Sequence, residues 1–202
     1  MGTIKEDIQI YDPVNTNNNV YYSKIMYKNA EISLQIPKNT LVLNKDKQKA
    51  KLNIDEGTVD FIKEVSKAVI EITSDKSPYF FGKTISCEDC ESIYKEALVN
   101  NTLHCFYDED TYFYLSKKES LPIEEVPEEN EGIALIKCSA VVYTKHSFFI
   151  RWEICQFKIK KQKEEPEEIF KFDEYIIKDL PEHDSPIDGD PLSKKLEEIC
   201  LF

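Results

Sequence analysis

Two long runs of alternating residues, separated by a short polar turn, constrain the fold of this chain more than any other feature. The runs are GIALIKCSAVVY and SFFIRWEICQFKI, joined by Thr144, Lys145 and His146. Alternation with a period of two predicts strands with one face in a core, and the short connection predicts an antiparallel pair. In the second run, one face carries Phe148, Ile150, Trp152 and Ile154, and the other carries Phe149, Arg151, Glu153, Cys155 and Phe157.

Earlier segments also have the pattern of strands. VYYSKIMY at 20–27 and EISLQIPKNTLVL at 31–43 alternate, and the Asn-rich NTNNN before them predicts a turn. Further along, LHCFY and TYFYL flank three acidic residues at 108–110, a pattern typical of a hairpin. The sequence therefore predicts a mainly β protein.

Two helices interrupt this β pattern. TVDFIKEVSKAVIEI places apolar residues at helical spacing, which predicts an amphipathic helix packed on a sheet. A second helix is predicted after Ser86, whose hydroxyl can cap the turn that Asp89 closes, and it is expected to continue through CESIYKEAL. Five to seven strands with inserted helices fit an α+β small barrel, of which the oligonucleotide-binding (OB) fold is the common version.

Charge divides the chain into two parts. Residues 1–163 carry 25 acidic and 22 basic side chains, whereas residues 164–202 carry 13 acidic and 4 basic ones. We expect one OB-like domain at 1–163 and an acidic C-terminal tail at 164–202. The net charge of -12 therefore comes mostly from the tail, and the near-neutral body can still carry a basic groove.

Several function classes lack their sequence signals. No glycine-rich phosphate loop, HExxH or GxSxG motif is present, so we expect no enzyme and no cofactor. The CEDC segment at Cys87 and Cys90 has no second ligand pair, so we expect no metal. No apolar run reaches the roughly 18 residues of a membrane span, and the start lacks the layout of a signal peptide. We expect an intracellular protein that is not secreted and does not contact a membrane.

Aromatic residues and lysines alternate in four separate stretches: YYSKIMYK, SPYFFGK, YTKHSFFIRW and FKIKKQK. Single-stranded nucleic acid is held by aromatic faces on which bases stack, set among lysines that contact phosphates. Aromatics in strands are also typical of a core, and lysines beside them typically face water. The recurrence of the pattern across separate strands favours nucleic-acid binding.

In the order of these segments, the chain resembles the single-stranded-DNA-binding proteins of nucleocytoplasmic large DNA viruses, which are similar to the replication single-stranded-DNA-binding proteins of certain podophages. The resemblance covers roughly residues 20–160. An aromatic-Phe-Gly-Lys segment is matched by Phe80, Phe81, Gly82 and Lys83, and a Trp-x-x-x-Gln-x-Lys ending by Trp152, Gln156 and Lys158. The family often has a Gly where SFFIRW has bulky residues.

The resemblance also gives a role to the tail, which ends on Leu201 and Phe202. In the phage proteins an acidic tail with a C-terminal Phe occupies the DNA groove when DNA is absent and otherwise contacts replication partners. By resemblance, Leu201 and Phe202 form a displaceable plug. Acidic and aromatic side chains can imitate phosphates and a stacked base.

The sequence hypothesis is sequence-independent binding of single-stranded DNA during viral DNA replication or repair, in the host cytoplasm or a viral replication site. The expected partners are single-stranded DNA and replication proteins that meet the tail, and the chain can form a homo-oligomer. The alternative is a structural or protein-interaction component, for example a minor virion protein. The predicted stacking residues are Tyr79, Phe81, Tyr143 and Trp152, and the predicted phosphate contacts are Lys24, Lys83, Lys145, Arg151 and Lys158.

Overall fold

The computed structural model describes residues 4–17, 19–116 and 119–160. The predicted tail, including Leu201 and Phe202, lies outside these residues. The helices are α1 (Ile4–Asp7), α2 (Glu56–Asp75), α3 (Ser77–Phe81) and α4 (Cys87–Ile93), with a 3-10 turn at Lys45–Lys47. The strands are β1 (Ile8–Ile10), β2 (Val14–Asn17), β3 (Val20–Ser23), β4 (Ile25–Tyr27), β5 (Ser33–Asn44), β6 (Lys49–Asn53), β7 (Leu98–Val99), β8 (Thr102–Phe106), β9 (Tyr112–Ser116), β10 (Glu119–Leu121), β11 (Glu129–Tyr143) and β12 (Phe148–Ile159).

Five strands close into a barrel. Hydrogen-bonded neighbours follow the order β5, β6, β8, β12 and β11, and β11 pairs again with β5. All neighbours are antiparallel except β8 and β12, which are parallel. Numbered along the chain, the barrel strands have the circular order 1-2-3-5-4, which is the connectivity of the OB-fold. The predicted mainly β, OB-like barrel with inserted helices is confirmed.

The two long runs form the antiparallel pair β11 and β12, as predicted. The alternation in β12 is not continuous, because the register shifts where Leu135 pairs with Gln156 and Ile136 pairs with Ile154. Cys155 is the extra residue of this bulge. Phe157 therefore points into the core and is fully buried, which corrects its predicted place on the outer face.

The predicted hairpin between LHCFY and TYFYL is wrong. These segments are β8 and β9, and both pair in parallel with β12 along the same edge. The acidic residues between them loop away from that edge, and the Thr111 hydroxyl donates a hydrogen bond to the Ile154 carbonyl at 2.9 Å. The polar turn thus interrupts one edge of the sheet instead of reversing the chain.

Both predicted helices are present. Asp55 caps α2 by accepting a hydrogen bond from the Thr58 amide, and the apolar face of α2 is buried. Ser86 caps α4 by accepting from the Asp89 amide, although α4 ends at Ile93, before the predicted end. The SPYFF segment forms the additional helix α3, which is followed by Gly82 with a φ of 68°. That left-handed conformation suits glycine.

The N-terminal strands are shorter than predicted. VYYSKIMY divides at Lys24 into β3 and β4, which join different sheets, while β5 forms over the predicted segment. The Asn-rich turn is also narrower than predicted, because β2 pairs with β3 up to Asn17. Asn19, with a φ of 61°, lies in the turn between them.

Candidate functional site

A cationic and aromatic surface lies on the outside of the barrel where β6, β8 and β12 adjoin. On β6 and β8, alternate residues enter the core, so that the residues between them face outward. Lys49 pairs with Phe106, and Lys51 pairs with His104. We call this surface the strand wall. It consists of Lys49, Lys51, His104, Phe106 and Arg151.

Phe106 is the centre of the strand wall. The guanidinium carbon of Arg151 lies 4.4 Å from the ring centroid of Phe106, and the Lys49 ammonium lies 5.4 Å from it. Arg151 also donates a 2.6 Å hydrogen bond from Nε to Glu153, which holds the guanidinium in place. A guanidinium over an aromatic ring gives a flat cationic surface on which a planar group can stack.

The positive charges of the strand wall affect the pKa of His104. Its pKa is lowered by burial and, after that, by the positive charges of Lys51 and Lys49. Two cations close enough to disfavour a third charge produce a positive surface at neutral pH. This surface suits an anionic ligand.

A second feature is a pocket of about 340 Å³ at the turn between β11 and β12. Tyr143 stacks on Phe148 with centroids 5.7 Å apart and lies 5.1 Å from Phe80. Its hydroxyl shares a 3.1 Å hydrogen bond with Thr73, and burial raises its pKa. We call this the aromatic pocket. It is lined by Pro13, Asn19, Tyr21, Phe80, Phe81, Tyr143, Thr144 and Lys145.

The structure brings three predicted site residues together in the aromatic pocket: Phe81, Tyr143 and Lys145. Tyr79 lies next to it on α3, is 65% exposed, and has its ring 5.8 Å from that of Phe80. Arg151 instead belongs to the strand wall. Tyr143 is only 4% exposed, so its ring has little free surface for stacking.

The remaining predicted phosphate contacts belong neither to the strand wall nor to the lining of the aromatic pocket. Lys24 is exposed between β3 and β4, with its ammonium 3.5 Å from the Glu31 carboxylate. Lys83 is exposed immediately after the end of α3, and Lys158 lies near the end of β12. The structure therefore does not bring all the predicted cations into one continuous site.

The prediction that Trp152 stacks on a base conflicts with its position. Trp152 has no solvent exposure, because it occupies an inward position of β12 in the main core. Its indole N–H is buried without a hydrogen-bond partner among the described residues. A ring without a free face cannot stack on a ligand, so Trp152 is a core residue.

The described part of the chain was also compared with the requirements of a metal site and of a membrane-spanning helix. Within residues 4–17, 19–116 and 119–160, no group of three or more His, Cys, Asp or Glu side chains could hold a metal ion. In the same residues, no helix has the length and apolar character needed to span a membrane.

Sequence comparison connects the chain to a family. A sequence model of a family of unknown function (DUF5871) matches residues 39–179. The chain belongs to this family. The match includes the strand wall and α3, and it continues beyond Ile159, where β12 ends. No curated protein matches the sequence.

Among solved structures, the fold is similar to that of a single-stranded DNA-binding protein from bacteriophage Enc34. One structure of that protein is 16% identical to this chain with a TM-score of 0.43, and the match covers 79% of this chain and 94% of that chain. Its C-terminal truncation gives 14% identity and a TM-score of 0.43, over 79% and 98% of the two chains. The structure of that protein in complex with single-stranded DNA is 14% identical with a TM-score of 0.40, and the match covers 77% of this chain and 97% of that chain.

Four residues of the strand wall were missed by sequence reasoning: Lys49, Lys51, His104 and Phe106. The KAKLN segment carried a usable signal, because its lysines alternate with Ala50 and Leu52 as on a half-buried strand. The segment LHCFY was recognised as a strand but assigned only to a hairpin. The pairing of β6 with β8 places the lysines of KAKLN beside the outward residues of LHCFY, so that they form one surface.

Proposed function

We propose that this protein binds single-stranded DNA without sequence preference. The observation that carries the proposal is the strand wall, because it presents three cations, a histidine and an aromatic ring on adjacent strands of an OB barrel. OB-folds bind oligonucleotides on the face of their second and third strands and on the loops between strands 1 and 2 and strands 4 and 5. Here β6 and β8 are the second and third barrel strands.

The chemistry of the strand wall supports binding by stacking and charge. Lys49 and Lys51 are exposed ammonium groups that can contact phosphates. Phe106, with Arg151 over its ring, supplies a flat surface for a base. Every base has a π face and every nucleotide has the same phosphate, so such contacts do not distinguish sequences.

The aromatic pocket extends the proposed DNA path beyond the strand wall. Lys145 lies in the turn between the fourth and fifth barrel strands, one of the two loops that OB-folds use. Phe81 and Tyr79 on α3 add aromatic surface beside it, and Lys83 adds a cation. Lys24 and Lys158 are the outlying phosphate contacts of this proposal.

In the proposal, the acidic tail competes with DNA for the same cations. Residues 184–202 end on Leu201 and Phe202, so the tail offers carboxylates in place of phosphates and a phenyl ring in place of a base. Once DNA displaces it, the tail is free to recruit replication proteins. The protein thus acts without catalysis in viral DNA replication or repair, inside the infected cell.

Fluorescence anisotropy of labelled poly-dT tests DNA binding. Because Lys49 and Lys51 face the proposed path, the Lys49→Glu, Lys51→Glu double variant should weaken binding roughly tenfold or more, with a shallower salt dependence. The matched control is Lys63→Glu with Lys67→Glu, which makes the same charge change on the exposed side of α2. Equal loss in both variants would show that net charge, and not the strand wall, governs binding.

Two further variants divide the proposal into its parts. Charge reversal at Lys83 and Lys145 together should weaken binding, and unchanged affinity would remove the aromatic pocket from the DNA path.

A chain lacking residues 184–202 should bind DNA more tightly than the full chain at low salt, because the competing carboxylates are gone. If neither the full nor the shortened chain binds poly-dT, a structural or protein-interaction component becomes the better account.

A further inference from the structure

A small apolar cluster lies on the outside of the barrel, separate from the main core. Phe113, Ala134 and Ile136 point inward, so the residues that alternate with them point outward. Cys155, the bulged residue of β12, joins them. We call this the outer cluster. It consists of Tyr114, Ile133, Leu135 and Cys155.

The outer cluster is more buried than its position on an outer face would suggest. Tyr114 is 4% exposed and Leu135 is 7% exposed, whereas Tyr112, which also faces outward on β9, is 64% exposed. Four side chains on the outside of a sheet shield one another along their flanks but not on the side that faces away from the sheet. The burial of Tyr114 and Leu135 requires an additional layer over this part of the sheet, which leaves Ile133 and Cys155 partly buried.

We propose that residues 169–177, with the sequence IFKFDEYII, pack on the outer cluster as that layer. Six of these nine residues are apolar or aromatic, in contrast to the acidic stretch EEPEE that precedes them. An apolar segment of this kind gains free energy from covering apolar surface. The family match extends to residue 179, so the family's sequence pattern includes this segment and not the end of the chain.

The course of the chain allows this packing. Ile133 of the outer cluster pairs with Lys158, so β12 ends beside the cluster. From Lys160 to Ile169 the chain can span about 30 Å at roughly 3.3 Å per residue, more than enough to turn back over neighbouring strands. No partner or second copy needs to be invoked to reach the surface.

Charge supports the same occupant. Lys137 lies on β11 two residues beyond Leu135; its ammonium is 3.6 Å from the Glu153 carboxylate, and its side chain remains 41% exposed. Lys158, opposite Ile133, adds a second cation on the β12 side. The four glutamates at 164–168 would therefore approach a border that contains lysines, which favours docking of the segment that follows. The folded unit would then end near residue 177 and not at 163.

Alkylation of Cys155 tests the packing in the full-length chain. We would follow iodoacetamide labelling of each cysteine by peptide mass spectrometry in the wild type, in Phe170→Ser with Phe172→Ser, and in Leu201→Ser with Phe202→Ser. Cys87 is exposed and serves as the reactive reference, while Cys105 and Cys138 are buried in the core and report unfolding. Burial also raises the pKa of the Cys155 thiol, which slows its labelling while it is covered.

The expected result is labelling of Cys155 at least tenfold faster in the Phe170, Phe172 variant only, with Cys105 and Cys138 still protected. An unchanged Cys155 rate in that variant would overturn the proposal. Equal acceleration by the Leu201, Phe202 variant would identify the chain end as the cover and overturn it as well. Loss of Cys155 protection in the wild type on dilution would also overturn the proposal, because a second copy of the chain would then be the cover. None of these outcomes depends on DNA binding.

Discussion

The outward side of β12 meets two different environments along its length. In the first half, Arg151 lies beside Phe106, His104 and the β6 lysines, and the surface is charged and open to solvent. In the second half, which begins at the bulge, Cys155 lies beside Tyr114 and Leu135, which are largely buried. Apart from the bulge at Cys155, β12 alternates along its whole length. Its neighbours decide the difference, because β6 and β8 contribute cations while β9 and β11 contribute Tyr114 and Leu135.

The largest expected effect comes from the core beneath the strand wall. Trp152→Ala should lower the free energy of unfolding by about 3–5 kcal/mol, because a fully buried indole leaves a large cavity. Urea denaturation followed by circular dichroism measures this loss. Trp152→Phe keeps an aromatic ring in the core and removes the unpaired N–H, so it should retain a folded protein with unchanged affinity for poly-dT. Weaker DNA binding by that folded variant would assign Trp152 to the interface after all.

A smaller effect is expected on DNA affinity when an outward-facing aromatic residue is removed from either half of the outer surface. Phe106→Ala should reduce the free energy of DNA binding by about 1–3 kcal/mol, because it removes the proposed stacking surface. Tyr112→Ala is the matched control, since Tyr112 is an exposed aromatic on β9, outside the strand wall. Anisotropy titrations of both variants would sharpen the comparison, and a larger loss from Tyr112→Ala would move the DNA path to the other half of β12.

The smallest expected effect is a pH dependence of the strand wall. The pKa of His104 is lowered by burial and by Lys51 and Lys49, so its imidazole is neutral at pH 7. On acidification below its lowered pKa, His104 gains a positive charge facing the proposed phosphates, and affinity for poly-dT should rise by a few-fold. Titrations at constant ionic strength measure this rise. His104→Gln should remove it, and a rise of the same size in that variant would show that another group is responsible.

Much of the architecture could be predicted from local patterns. The long runs forming β11 and β12, the amphipathic helix α2 and the Ser86 cap of α4 all depend on residues close in sequence. Such patterns could not show that the chain does not form a hairpin at 108–110. A polar turn between two apolar segments has the same sequence signal whether the chain reverses or merely bulges from one edge.

The candidate site was harder to predict than the fold. Of the predicted stacking residues, Phe81 and Tyr143 line one pocket, but Tyr143 is almost fully buried and Trp152 lies in the core. Composition identifies aromatics beside lysines, and only packing determines which ring keeps a free face. Phe106 gave no separate signal, because the cations near it come from β6 and β12, which are distant from it in sequence.

The sequence by itself determined the mainly β character, the two principal helices and the concentration of acidic charge after residue 163. These follow from alternation, helical spacing and composition, which need no knowledge of distant contacts. Only the tertiary structure decided the barrel closure, the position of Trp152 in the core and the joining of Lys49, Lys51, His104, Phe106 and Arg151 into one surface. Strand pairing brings together residues up to 102 positions apart, from Lys49 to Arg151, and no local pattern encodes which strands will pair.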